Sequence, residues 1–217
     1  MEAILLIVVL IFSVVVHEVA HAWQARREGD FTADRLGRIT LNPIPHLDVM
    51  GSVLVPMLLH FSGSGFLFGW AKPVPVDPRN YRDPVWGDIR VSMAGIVSNL
   101  VLAVLATIAS GVVVKINATV GPLGGLTDLL GQAAFYGILI NLVLAFFNLI
   151  PLPPLDGSHV VAHLLPEAAA LRYRQAGRYG IPVLMALFFF APGAFRYLMW
   201  PVTFFLGLAD SFIRLWM

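Results

Sequence analysis

The sequence predicts an all-α polytopic membrane bundle of about five to six membrane helices, interrupted by one small re-entrant element. Three observations carry this expectation. Of the 217 residues, 58% are hydrophobic and 12% charged, and the mean hydropathy of +0.80 lies far above that of a soluble chain of this length. Val91 to Val114 and Gly131 to Ile150 hold no charge over 24 and 20 residues, enough to span a membrane at about 1.5 Å per residue. A third run, Ala3 to Trp23, is almost wholly apolar apart from His17-Glu18-Val19-Ala20-His21. Ionisable groups are costly in hydrocarbon, so a cluster of them inside a span points to function.

The first span is expected from Ala3 to Ala25. It ends at Arg26-Arg27, and Arg35 and Arg38 continue the basic character, which assigns that end to the cytoplasm. Glu2 stands where a signal peptide is basic, and no small-residue cleavage site precedes the histidines, so the run reads as a retained span. Val49 to Phe68 is apolar but broken by Gly51, Pro56, Gly63 and Gly65. A full crossing here would put Lys72, Arg79, Arg82 and Arg90 on the face opposite Arg26 and Arg27, against the charge rule. Residues 49–76 are therefore expected to dip into the membrane and return, with their backbone buried in protein or lining a wet cavity.

Val91 to Val114 then runs outward, Lys115 to Leu130 is read as a glycine-rich outer connection, and Gly131 to Ile150 returns to the side of Arg172, Arg174 and Arg178. Pro151, Pro153 and Pro154 remove helix donors in quick succession, so the chain must unwind before Leu155-Asp156-Gly157. A shorter helix is expected to restart with Asp156 or Ser158 as its N-cap. Tyr179 to Ala209, interrupted by Pro192, Gly193, Arg196 and Pro201, is read as a hairpin, with one long kinked segment as the alternative. No internal repeat or low-complexity linker divides the chain, which predicts a single domain over residues 1–217.

Composition also bounds the chemistry. Without cysteine there is no disulfide and no thiolate metal site, so a bound metal must use histidine and carboxylate. A net charge of +1 gives no reason to expect nucleic acid. On a helix His17 and His21 project from one face, where both imidazoles can reach one zinc ion while Glu18 lies beside the metal's water. Counting back from Arg26 places His21 and His17 roughly 8 and 14 Å inside the cytoplasmic end of the first span. Asp156 leaves another span on the same side, at similar depth. Three protein ligands would leave a fourth position open for water, the arrangement of a catalytic rather than a structural site. Zinc would bring the pKa of that water from about 15.7 toward 7, and Glu18 would accept its proton and deliver it to the leaving amine.

Asp156 taken alone could be a helix cap, and Asn141 and Asn148 could be interhelical hydrogen-bond partners. For Asn148, a turn and a half before the proline-rich break, donation to a substrate carbonyl or oxyanion is the functional reading. His159 and His163 offer a fourth ligand as the alternative but are read as solvated, as are His46 and His60, with His46 the better candidate for a secondary or regulatory contact near the mouth of the site.

Four segments stand together: His17-Glu18-Val19-Ala20-His21, Leu41-Asn42-Pro43 with His46, Phe68-Gly69-Trp70-Ala71-Lys72-Pro73-Val74-Pro75-Val76, and Asn148-Leu149-Ile150-Pro151-Leu152-Pro153-Pro154-Leu155-Asp156-Gly157. These resemble the intramembrane site-2 protease metalloproteases in their compact prokaryotic form, across most of the chain. The resemblance implies Asp156 as third zinc ligand, Asn148 as an asparagine assisting substrate binding, and a small membrane-embedded re-entrant β element near the site. A strand edge around Gly65 to Val76 could then receive an unwound substrate by strand addition, although Pro73 and Pro75 cannot donate to a ladder. Two departures are visible. Ala94-Gly95-Ile96 followed by Asn99 replaces the family's usual Ala-Gly-Pro before a span asparagine, which is read as a packing variation, and His159 stands where the family commonly has arginine.

The expectation is thus an intramembrane zinc endopeptidase, with one Zn2+ per chain on His17, His21 and Asp156, Glu18 as general base and Asn148 assisting. It would sit in the cell membrane as a multi-pass protein with its active site toward the cytoplasm, and its partners would be transmembrane protein substrates and the lipid bilayer. Homo-oligomer and regulatory membrane partner stay open; no appended soluble sensor domain is visible. The competing class is a non-catalytic membrane metal-binding scaffold or pseudoprotease, against which the presence of Glu18 argues, because zinc binding alone does not need it. A transporter is a third class, but few polar residues line the other spans.

Overall fold

The computed structural model describes residues 2–54, 57–58, 71–121 and 125–216. Among the described residues every regular element is helical. Helix α1, Glu2–Glu28, carries the first apolar run and stops at Gly29, whose φ of +113° is the left-handed geometry that ends helices. A single turn, α2 (Thr32–Arg35), follows. Helix α3, Pro84–Val120, starts where Asp83 accepts hydrogen bonds from the Val85 and Trp86 amides with proline in its first turn. At 37 residues it is about 55 Å long, more than the roughly 30 Å hydrocarbon core, so both ends project beyond the uncharged stretch. Helix α4, Gly125–Asn148, packs along it, and α1 lies against both.

After the proline-rich turn come α5 (Gly157–Leu164) and α6 (Glu167–Gln175), then α7 (Gly180–Phe190), α8 (Pro192–Leu198) and α9 (Trp200–Arg214). Helix α9 returns to α3 and α4, where Ala103, Ile138, Leu142, Val202 and Ala209 form an apolar core. A second core joins Ala22 of α1 to Ala33 and Val74, and a third joins Ala25 to Tyr81 and Val91. Meanwhile α1 turns Ile4, Val8 and Phe12 outward and α3 turns Val101, Val104 and Leu105 outward, an apolar exterior suited to lipid rather than water.

Among the described residues three helices, α1, α3 and α4, are long and apolar enough to cross a membrane, or four if a bent pair is one broken span. That is fewer than the five to six expected, because the C-terminal apolar region is cut into short helices of 11, 7 and 15 residues. Its break follows Phe190, and the flanking segments are bent by 113°. The expected outer connection Lys115 to Leu130 is largely helical instead: α3 runs on to Val120 and α4 begins at Gly125. Continuing the helix satisfies backbone groups that a loop would leave open, and Thr119 adds a bond from its hydroxyl to the Lys115 carbonyl at 2.8 Å.

Half of the expected re-entrant segment, residues 55–56 and 59–70, lies outside the described residues, and His60 with it. On its flanks, Val49–Leu54 is a π-helical turn and residues 71–77 form a strap without regular secondary structure. Several of the strap's backbone groups are engaged. The Arg38 guanidinium donates to the carbonyls of Lys72 (2.8 Å) and Pro73 (3.4 Å), the Lys72 amide donates to the His46 carbonyl (2.9 Å), and the Val74 amide donates to Glu18 (2.8 Å). Pro73 and Pro75 have no amide hydrogen, so Val74 holds the one donor between them. The described part of the segment is a pinned strap.

Candidate metal centre

His17 and His21 are one turn apart on α1, with their Nε2 atoms 3.0 Å from each other. Asp156 Oδ2 stands 3.2 Å from His17 Nε2 and 3.4 Å from His21 Nε2. Asp156 reaches them because the chain folds back after α4. The Leu149 carbonyl sits against Gly157 so closely that any side chain at 157 would collide with it. The helix α5 does start at Gly157, but the Asp156 side chain makes no capping bond. It points at the imidazoles instead.

The other nitrogen of each imidazole decides what the three atoms can do. His21 Nδ1 lies 2.7 Å from the Val91 carbonyl, which can only accept, so Nδ1 carries the proton and the neutral ring presents a bare Nε2. For His17 the same conclusion passes through two amides. Asn141 Nδ2 donates to the Gly137 carbonyl (2.7 Å) and to Ser13 Oγ (2.9 Å), which leaves Asn141 Oδ1 to accept from Asn99 Nδ2 (2.7 Å). Asn99 Oδ1 is then the atom 2.6 Å from His17 Nδ1, and it accepts. Ser13 and Asn99 are fully buried and Asn141 nearly so, so water does not scramble this order.

Two bare nitrogens and a carboxylate oxygen thus converge at van der Waals distance or less. Asp156 Oδ2 is buried and finds no hydrogen-bond donor among the described residues. Acceptors facing acceptors are unfavourable unless a cation lies between them. Tetrahedral zinc ligands at about 2.0–2.1 Å from the metal stand about 3.3–3.4 Å apart, and the observed separations of 3.0, 3.2 and 3.4 Å fit that figure. His17, His21 and Asp156 can therefore hold a divalent cation, with Asn99 and the Val91 carbonyl orienting the imidazoles in the usual way of metal-bound histidines. Gly95 of α3 faces the same space: a Cβ there would lie 2.5 Å from His21 Nε2 and 2.7 Å from His17 Nε2.

Glu18 follows His17 on α1, and its Oε2 accepts the Val74 amide at 2.8 Å. Asn148 ends α4 with its Nδ2 donating back to the Leu144 carbonyl at 2.9 Å, and no contact with the three converging side chains is seen. Asn141 makes the interhelical bonds expected of it. His46, His159 and His163, expected to be solvated, each have a partner within the protein. His46 is buried with its Nε2 at 3.0 Å from the Thr40 carbonyl, and His159 and His163 both bind Asp88. Sequence reasoning missed Ser13 and Asn99. An amide in an uncharged run was the signal, since a polar group in a span needs a partner.

A family model described as Peptidase family M50 matches residues 5–133 and 127–191. A Bacillus subtilis (strain 168) relative named "Putative zinc metalloprotease YwhC" is 40% identical over 198 residues, 91% of this chain and 84% of the relative. Another, named "Putative zinc metalloprotease Rip2", from Mycolicibacterium smegmatis (strain ATCC 700084 / mc(2)155), is 33% identical over 179 residues, 76% of this chain and 59% of that relative. No solved structure gives a significant match. With the family model covering most of its length, the chain belongs to Peptidase family M50, the site-2 protease family, and is a membrane zinc metalloprotease.

Proposed function

We propose that this metalloprotease hydrolyses peptide bonds in or near transmembrane segments of membrane-protein substrates, using one Zn2+ per chain held by His17, His21 and Asp156. The observation that carries the reading is the convergence of three acceptor atoms from α1 and the turn after α4, with both imidazole Nδ1 atoms already committed elsewhere. Bound there, zinc would supply Lewis acidity toward a water and the scissile carbonyl.

The protein's own groups do the rest. Glu18 takes the proton from the attacking water on a carboxylate oxygen and returns it to the amine nitrogen as the C–N bond breaks. Its Oε2 is held by the Val74 amide, which keeps the side chain in one rotamer and leaves the other oxygen for the proton. Asn148 is assigned to a substrate carbonyl, for which its amide must exchange its bond to Leu144. The basic residues at the ends of the spans support a site on the cytoplasmic side of the cell membrane.

Glu18→Gln is expected to keep stoichiometric zinc in the purified protein and to lose cleavage of a transmembrane reporter by at least about 100-fold. His17→Ala is expected to lose both. Unchanged cleavage by the glutamine variant would remove the mechanism, and unchanged zinc in the alanine variant would remove the ligand set.

A further inference from the structure

Asp88 is an acidic residue in the first turns of α3, buried to 4% exposure, and outside the converging triad. Among the described residues its side-chain partners come from the chain beyond α4. His159 Nδ1 lies 3.1 Å from Oδ1, His163 Nε2 lies 2.7 Å from Oδ2, and the Arg174 guanidinium of α6 lies 3.8 Å from Oδ2. His159 and His163 are one turn apart on α5, the helix that begins immediately after Asp156. One carboxylate therefore grips two successive turns of the element whose N-terminus delivers the third acceptor to the metal centre.

The position of Asp88 on α3 gives that grip its meaning. Asp88, Val91, Gly95 and Asn99 are spaced by three, four and four residues and so form one stripe along the helix. The Val91 carbonyl holds His21, Gly95 admits both imidazoles, and Asn99 holds His17. The same stripe, one turn earlier, holds α5. Both halves of the triad, α1 and the Asp156 turn, are thus referred to one face of one helix.

We infer that Asp88, with His159 and His163, is a positioning device that sets Asp156 against His17 and His21, so that the metal site is assembled on α3 rather than by the contact of α1 with the turn alone. The inference rests on the zinc reading above. Physically, Asp156 follows three prolines and has no capping bond to anchor it, so its distance from the imidazoles is set by how α5 is docked. Two donated hydrogen bonds to a buried carboxylate are strong enough to set that docking. His159 lines one cavity of about 390 Å³ and His163 another of about 380 Å³, so their side chains can be changed without opening the bundle core.

The test uses the full-length protein in detergent, with zinc affinity read by chelator competition and site geometry by the visible absorption of the Co2+-substituted form. Asp88→Ala and the double variant His159→Ala, His163→Ala are each expected to weaken zinc about 10- to 100-fold and to alter the cobalt spectrum. Combining all three should cost no more than either, because they break one clamp. His159→Asn and His163→Gln, which place amide nitrogens where Nδ1 and Nε2 stand, should restore affinity and spectrum. Wild-type affinity and spectrum in Asp88→Ala, or in the double histidine variant should Asp88→Ala not fold, would overturn the inference. So would a lowered melting temperature with an unchanged spectrum, or losses that multiply. If instead His17→Ala retains the zinc of the wild type, it is the ligand assignment that fails.

Discussion

Asn99 is an amide in the uncharged stretch of α3, 0% exposed, with its oxygen on the His17 imidazole and its nitrogen on a second amide. Its consequence is a tautomer: while Oδ1 accepts from His17 Nδ1, the neutral ring keeps its proton there and presents the lone pair of Nε2, which a cation can take. Asn99→Leu is therefore expected to weaken zinc binding about 10- to 100-fold, whereas Asn99→Asp, which still offers an oxygen, should bind within a few-fold of wild type. Chelator competition on the purified variants distinguishes the two, and equal affinity in the leucine variant would contradict the tautomer argument. Neither the spacing of the histidines nor their depth in the span hints at this residue's role. Ser13 and Asn141 join it only because three helices meet there.

At the scale of elements, the segment between α1 and α3 is organised around Asp30. Although burial raises its pKa, hydrogen bonds from Thr32, the Asp77 amide and Asn80 hold the carboxyl below the usual carboxylate range. This ties the end of α1 to the turn before α3, next to the Arg82 amide on the Glu28 carbonyl at 2.8 Å. With the folded pKa depressed, the stabilisation is fully present above the unfolded value of about 4 and is lost as pH falls through the folded value. Asp30→Asn should cost about 1–3 kcal/mol at neutral pH. Its melting temperature should approach that of the wild type only as pH falls through the depressed folded value, below which both carry an uncharged side chain. Thermal melts across that range check the sign. A gap independent of pH would mean that the charge of Asp30 is not what holds the junction.

For the whole molecule, α3 is the scaffold: α1, α4, α5 and α9 all pack on it, and its Asp88-to-Asn99 stripe carries the Val91 and Asn99 contacts to the two imidazoles and the Asp88 contacts to α5. The basic residues Arg26, Arg27, Arg35 and Arg38 gather at the end of α1 nearest the histidines, so a reporter fused after Arg38 should lie in the cytoplasm. Accessibility of that reporter to an impermeant reagent tests the orientation; labelling from the outside would invert it.

The sequence by itself determined the apolar spans, the pairing of His17 with His21 and the return of Asp156 to the same depth. Each of these follows from helical rise and periodicity, which act over a few residues, or from the proline run that ends a helix. Only the tertiary structure decided which nitrogen of each imidazole faces inward, that Asn99, Asn141 and Ser13 share one network, and that Asp88 grips α5. It also decided that Lys115 to Leu130 is mostly helix. Hydrogen bonds between residues 82 positions apart, as between His17 and Asn99, depend on which faces of separate helices meet, and an apolar span of nearly uniform character does not announce its inward face.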